Sequence, residues 1–213
     1  MNIILLGQIT SGKGTLAQCL EEKYNFGLVS IGALLREEAK KDTPEAKVIS
    51  DYQLQGKLVP EEITIKILKS HMDRNAGKNL IFDGYPRNLK QAETLDRIAK
   101  IDACLVLDVD DSIVRDRFMG RRGCVTCGHI THLKMLNGKT TCPKCGGNLE
   151  IRNDMTEEAM LGKMKSFETE TKPLIAYYEN KNLAYHINAG HNPEKTLEQA
   201  ENVLKKIGKN GIN

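Results

Sequence analysis

The sequence predicts an α/β protein, a three-layer α/β/α arrangement around a five-stranded parallel sheet, carrying one cysteine-rich insertion. Three observations support this. Five short apolar runs, Ile3 to Leu6, Leu28 to Val29, Leu80 to Phe82, Ala103 to Leu107 and Leu183 to Ile187, are each followed by a stretch of helical character. Such alternation is the pattern of buried parallel strands covered by helices on both faces. The first run opens directly into a glycine-rich loop, and the stretch from about Arg122 to Asp154 breaks the alternation with Cys, Gly, Thr and Asn.

In chain order, the strand Asn2 to Leu6 runs into the loop, and apolar residues at three- and four-residue spacing predict a helix over Leu16 to Tyr24. The same spacing predicts helices over Ile31 to Lys40, Glu61 to Met72, Thr156 to Glu179 and Pro193 to Ile207. Pro60 and Pro193 stand where first-turn prolines belong.

The 213 residues suffice for one main core with insertions, and the net charge of +3 suits anionic ligands without the dense basic patches of a nucleic-acid binder. No stretch reaches the roughly 20 apolar residues of a membrane span, so a cytoplasmic protein with no membrane association is expected, and nothing demands more than a monomer. Of six cysteines, Cys19 and Cys104 stand alone inside predicted elements and read as small buried hydrophobes.

The loop reads Gly7-Gln8-Ile9-Thr10-Ser11-Gly12-Lys13-Gly14-Thr15 between a strand and a helix. Backbone N–H groups and the positive helix end converge there, a geometry suited to polyphosphate. Lys13 would neutralise β- and γ-phosphates, and the Thr15 hydroxyl could reach phosphate or magnesium. The general phosphate-loop pattern has Ser or Thr directly after the lysine, whereas Gly14 intervenes here. Asp83, closing the strand Leu80 to Phe82, offers a carboxylate to the outer shell of the same magnesium ion.

Cys124 and Cys127 are two residues apart, as are Cys142 and Cys145, with fourteen residues between the pairs. Four thiolates at this spacing can close a tetrahedral zinc site, and Gly128 and Gly146-Gly147 suit the tight turns that follow each pair. The zinc would be structural, because a ribbon this poor in apolar residues cannot pack a core of its own. His129 and His132 are rival ligands that a full set of four cysteines leaves unneeded; they are expected on the surface or near nucleotide.

The chain resembles the adenylate kinase family of nucleoside monophosphate kinases. The resemblance rests on Gly12-Lys13-Gly14-Thr15, Ser30-Ile31-Gly32 with Leu35-Arg36, Gly56-Lys57-Leu58-Val59, Asp83-Gly84-Tyr85-Pro86-Arg87 with Gln91, Arg117, Gly120-Arg121-Arg122, the cysteine ribbon, Arg152 with Asp154, Pro173-Leu174-Ile175 before Tyr177-Tyr178, and Ile187-Asn188-Ala189-Gly190. It implies a P-loop core over 1–29, 60–120 and 159–213, an AMP-binding insertion over 30–59 and a zinc-ribbon lid over 121–158. It also implies phosphoryl transfer between ATP and AMP to give ADP, with Mg2+ accompanying ATP. By the same resemblance Thr10, Ser11, Gly12, Lys13, Gly14, Thr15, Arg117, Arg121 and Gly190 would bind ATP. Ile31, Arg36, Lys57, Leu58, Val59, Gly84, Tyr85, Pro86, Arg87 and Gln91 would bind AMP. Arg152 and Lys163 would serve AMP too, and both belong with Lys13, Arg87 and Arg121 to the catalytic set.

The physical need for those cations is independent of any family, because transfer between two anions is catalysed chiefly by positioning and charge neutralisation. Several positions depart from the family pattern. Ile9-Thr10 replaces Pro-Gly, Ile31 replaces a Thr or Ser beside the AMP base, Ala33 replaces a common Asp, and Met155 replaces the second of two lid aspartates. Lys163 replaces an arginine and cannot form a planar two-pronged contact. The departures keep two alternatives open, a kinase for another nucleoside monophosphate and a weakly catalytic nucleotide-binding protein. A zinc-ribbon nucleic-acid binder would need aromatic residues interleaved with its charges, which the ribbon lacks.

Overall fold

The computed structural model describes residues 1–55, 57–151, 156–190 and 192–208. Five parallel strands form the central sheet: β1 (Asn2–Gly7), β2 (Gly27–Ser30), β3 (Leu80–Asp83), β4 (Ala103–Asp108) and, late in the chain, β8 (Ala184–Asn188). Their order is β2-β3-β1-β4-β8, with β1 pairing β3 on one side and β4 on the other. Side chains of a strand alternate between faces, so β1 splits its apolar residues. Ile4 and Leu6 join the core with Val29, Phe82 and Val106, whereas Ile3 and Leu5 join the opposite core with Ile81, Leu105 and Ile187. That two-sided burial is why these strands read as continuous apolar runs and not as alternating ones.

Helices α1 (Lys13–Tyr24) and α9 (Pro193–Ile207) cover one face through Leu16, Leu20, Ala200 and Leu204. Helices α2 (Ile31–Glu38), α4 (Glu61–Arg74), α5 (Leu89–Ile98) and α8 (Lys172–Asn180) cover the other through Ile31, Leu68, Leu95 and Tyr178. Side-chain caps fix several starts: Thr43 accepts from the Ala46 N–H at α3 (Pro44–Leu54), Thr156 from Ala159 at α7 (Glu157–Ser166), and Asn192 from Lys195 at α9. Pro193 takes the first helical position as predicted, whereas Pro60 caps α4 from one residue outside it.

The structure differs from the sequence expectation in specific places. The single helix expected over Thr156 to Glu179 is divided into α7 and α8 by a π-helical turn, Phe167–Thr171. Helix α2 stops at Glu38, and α3, α5 and α6 (Asp111–Gly120) are helices whose limits periodicity had not marked. Residue Cys104 is buried but Cys19 is only half-buried, because α1 turns that position away from the sheet.

Between α6 and α7 the chain forms an antiparallel sheet of its own, β6-β5-β7, from β5 (Arg121–Cys124), β6 (Ile130–His132) and β7 (Leu149–Glu150). Among the described residues no helix is long and apolar enough to cross a membrane.

Candidate active site

In a sheet of this order the chain leaves β1 toward one edge and β3 toward the other, which opens a crevice between their carboxyl ends where ligands bind. Both Gly7 and Asp83 lie there. Gly7 has φ +146°, and a Cβ at this position would stand 2.7 Å from the Leu107 carbonyl oxygen and 2.9 Å from Ser11 Oγ, so the loop turns this tightly only with glycine. Helix α1 then starts at Gly12 with no acidic residue in its first turn, leaving the positive end of its dipole uncompensated. Gly14 and Thr15 are exposed at that end.

Thr10 lies at φ +53°, a left-handed conformation uncommon for a β-branched residue. Its hydroxyl donates to the Val114 carbonyl at 3.1 Å, and Gln8 Nε2 donates to Asp111 Oδ1 at 2.8 Å, so two side chains pin the loop to α6. Lys13 turns inward, donating to the carbonyl oxygens of Gly7 at 2.7 Å and Gln8 at 2.6 Å and reaching Ser11 Oγ at 3.4 Å. Burial of the ammonium pushes its pKa down to about 8; Asp83 opposes the shift, and Arg87 and Arg121 add to it.

Asp83 is held above the usual carboxylate range by burial, against the pull of Lys13 and Arg87. The Arg87 guanidinium is drawn below its ordinary value, chiefly by burial, with Asp83 and Glu170 opposing and Arg36 assisting. Lys13, Asp83, Arg87 and Arg36 therefore form one interacting set across the crevice. Arg87 is oriented by Nε donating to the Gly84 carbonyl at 3.0 Å, and its N–H donates to Gln91 Oε1 at 2.8 Å. Asn88 caps α5 by accepting from the Gln91 N–H at 2.9 Å, so the cap also places Gln91. Pro86 follows Tyr85 through a cis peptide bond.

Beyond these residues lies a cleft of about 930 Å³. One wall holds Ile31, Arg36, Lys57, Leu58, Val59, Gly84, Tyr85, Arg87 and Gln91, and the facing wall comes from Gly123, Val125, Ile130 and Ile151 of the β5–β7 unit. Arg117 sits at the other end of the phosphate loop. Its Nη2 donates to the Ala189 carbonyl at 2.9 Å, and Nη1 reaches the carbonyls of Thr10 at 3.4 Å and Ser11 at 3.5 Å. Gly190 follows, its N–H donating to Asn188 Oδ1 at 2.9 Å. Arg121 opens β5 within electrostatic reach of Lys13. Lys163, on α7, places its ammonium 5.7 Å from the centre of the Phe118 ring and outside the cleft wall. Arg152, Asp154, Met155 and Gly56 lie outside the described residues.

The sulfurs of Cys124, Cys127, Cys142 and Cys145 all lie within 4.8 Å of one another. Cys124 Sγ is 3.5 Å from Cys145 Sγ and Cys127 Sγ is 3.7 Å from Cys142 Sγ, far longer than a disulfide. Metal–sulfur bonds of about 2.3 Å at tetrahedral angles require sulfur separations of about 3.8 Å, so the four residues fit such an ion as they stand. Matching turns build the cradle: the Gly128 N–H donates to the Cys124 carbonyl at 3.0 Å and the Gly146 N–H to the Cys142 carbonyl at 2.9 Å, both glycines having positive φ. Backbone N–H groups, first that of Cys127, draw the Cys124 thiol down to about 6. The Gly147 N–H acts likewise on Cys145, but hydrogen bonds with Cys127 and Cys124 push that thiol up to about 12. Thiolates this close repel each other, and a bound cation removes that obstacle.

The family model described as Adenylate kinase matches residues 5–183. The adenylate kinase of Clostridium tetani is 39% identical over 215 residues, covering 97% of this chain and 100% of the relative. That of Methanothrix thermoacetophila is 38% identical with the same coverage, and that of Archaeoglobus fulgidus is 37% identical over 97% of this chain and 99% of the relative. The chain belongs to the adenylate kinase family.

Within that family framework, the junction between α6 and the cysteine unit holds residues whose importance the sequence did not signal. A Cβ at Gly120 would fall within the His132 ring, 2.6 Å even from Cδ2. The ring is anchored by the Lys134 N–H donating to Nδ1 at 3.1 Å and by Nε2 facing the Asp116 carbonyl at 3.2 Å. His132 is thus half-buried against Gly120, with part of its ring still in solvent. The only sequence signal was a glycine directly before Arg121, and a partner twelve residues later on another strand cannot be read from periodicity.

Proposed function

We propose that the protein catalyses the reversible reaction ATP + AMP = 2 ADP with Mg2+, as a cytoplasmic monomer whose cysteine unit holds a structural Zn2+ ion. The observation that carries this reading is the shared set of Lys13, Asp83, Arg87 and Arg36 at the crevice, with phosphate-loop amides on one side and, on the other, a cleft with room for a whole nucleotide and Gln91 in its wall. On this assignment ATP phosphates lie on the loop amides from Ser11 to Thr15 and take over the Lys13 donors now spent on Gly7 and Gln8. Arg117 and the backbone at Gly190 flank the ATP base. Arg36 and Arg87 fork the AMP phosphate, and Gln91 reads the AMP base between Ile31 and the backbone of Lys57, Leu58 and Val59.

The AMP phosphate oxygen attacks the γ-phosphorus in line as the bond to the β-phosphate bridging oxygen breaks, with no covalent intermediate on the protein. Thr15 and Asp83 would hold the shell of the magnesium ion that accompanies ATP, which would supply neutralisation of the phosphate charge. Lys13, Arg87 and Lys163 of the core, with Arg121 and Arg152 at the ends of the lid, stabilise the charge that develops on the transferred group. The zinc-held unit over 121–158 closes across the cleft as a lid and expels water that would otherwise accept the phosphoryl group.

The test is ADP formation from magnesium ATP with AMP, CMP, UMP and GMP in parallel, on zinc-loaded protein, with Lys13→Ala as control. Rapid AMP-selective turnover lost in the control is the expected result. Preference for another acceptor would move the base assignment to the apolar wall at Ile31, and tight ATP binding with no phosphorylated acceptor would overturn the catalytic reading.

A further inference from the structure

His186 belongs to none of the motifs above, yet both its ring nitrogens are engaged. Nδ1 lies 2.7 Å from Asp108 Oδ2 at the end of β4, and Nε2 lies 3.1 Å from Glu179 Oε1 in the last turn of α8. A neutral imidazole carries one N–H, so only the protonated ring satisfies two carboxylates at once. We propose that His186 is a positioning residue: its protonated ring, bridging Asp108 and Glu179, fixes the loop at Ala189 and Gly190 and thereby makes use of ATP, but not of AMP, sensitive to proton concentration. This rests on the proposed placement of the ATP base at that loop.

The connection runs through a few contacts. Asp108 holds His186 with its carboxylate and accepts from the Ala189 N–H with its backbone carbonyl at 2.8 Å. Ala189 in turn accepts from Arg117, the arginine that also reaches the phosphate loop. Strand β8 is at the edge of the sheet, its ladder made with β4 alone; Gln199 of α9 also holds Asn188, accepting from its N–H at 3.0 Å and donating to its carbonyl at 3.1 Å, and the side-chain bridge adds a further tie at this end. The charged groups that touch the ring are Asp108 and Glu179, and Asp110, Asp111, Glu168 and Lys172 line with it a cavity of about 810 Å³. Carboxylates dominate that set. Partial burial works against the charged ring, but the hydrogen bonds to Asp108 and Glu179 outweigh it and lift the pKa above the ordinary histidine value. Deprotonation leaves one carboxylate facing a ring lone pair, so one contact must open. The AMP wall is on the β2–β3 side of the sheet and shares none of these contacts.

The experiment compares initial rates of ADP formation by the unsubstituted full chain and His186→Gln across about pH 6 to 9, varying ATP at saturating AMP and then the reverse. Glutamine keeps a donor and stays neutral, so ionisation of Lys13 and of ATP cancels in the ratio of variant to unsubstituted protein. The KM for ATP should be about two- to fivefold higher in the variant at the acid end, as suits a half-exposed ion pair, and converge at the alkaline end. The AMP ratio should remain near one. An ATP ratio that does not change with pH, or an equal change for AMP, overturns the proposal. Should the variant not fold, the ring resonances of His186 in the unsubstituted protein decide. A midpoint above the ordinary value that moves when an ATP analogue is added supports the bridge, and an ordinary midpoint indifferent to nucleotide overturns it. Failure of the unsubstituted chain to make any ADP is a different result and sinks the kinase reading itself.

Discussion

With Lys13 placed at the ATP phosphates as proposed, ATP binding is expected to depend on pH in a direction and an amount set by the phosphate loop. Its folded-state pKa without nucleotide is pushed down to about 8, mainly because the ammonium is buried among the loop carbonyls. ATP phosphates would restore favourable charge there and return the group to a value above about 10, near its reference. Binding then takes up a proton, about half a proton per ATP at pH 8. Between pH 7 and pH 9 the charged fraction of free Lys13 falls from about nine-tenths to about one-tenth, so apparent affinity should fall about tenfold, or about 1.4 kcal/mol. Calorimetry in two buffers of different ionisation enthalpy measures both quantities, with Lys13→Met subtracting the ionisation of ATP. The sign for folding is opposite: the charged lysine costs stability below about pH 8, and nucleotide-free protein regains it as the pH rises from there toward 10.5. No proton uptake at pH 8 together with a flat affinity would refute the reasoning.

Replacing Cys145 by Ser should abolish stoichiometric zinc and lower turnover by at least about a hundredfold while the central sheet still unfolds cooperatively, as seen by metal analysis and circular dichroism, because the ribbon shares no core with the sheet. Thr10→Val keeps the left-handed strain but removes the hydroxyl bonded to Val114, and should cost about 1–2 kcal/mol in chemical denaturation with weaker ATP binding. Gly120→Ala forces a methyl group into the His132 ring; a cost of about 1–3 kcal/mol at the junction of α6 and β5 should appear as faster hydrogen exchange over the β5–β6 strands with the central sheet unchanged.

Much of the architecture was legible because it follows from local chemistry. The apolar runs had to be buried on both faces, and the loop from Gly7 to Thr15 needed a glycine at Gly7, where a Cβ would strike Leu107. Helix α3 was legible too, in the pair Thr43-Pro44 that supplies a cap and a first-turn proline, although its weak apolar spacing hid it from a periodicity search. The division of the helix after Ser166 was not, since a π-helical turn is a packing outcome with no residue signature in Phe167–Thr171.

The sequence by itself therefore determined the fold class, the clustering of the four cysteines and the placing of Lys13, Asp83, Arg87 and Arg36 about one crevice, because spacing along a strand, loop or turn places them with few alternatives. Only the tertiary structure decided that Lys13 turns back on its own loop, that Thr10 is held left-handed by Val114, that His132 fills the space above Gly120 and that His186 bridges Asp108 and Glu179. Each depends on groups distant in sequence, or on a choice of rotamer that burial makes and periodicity does not record.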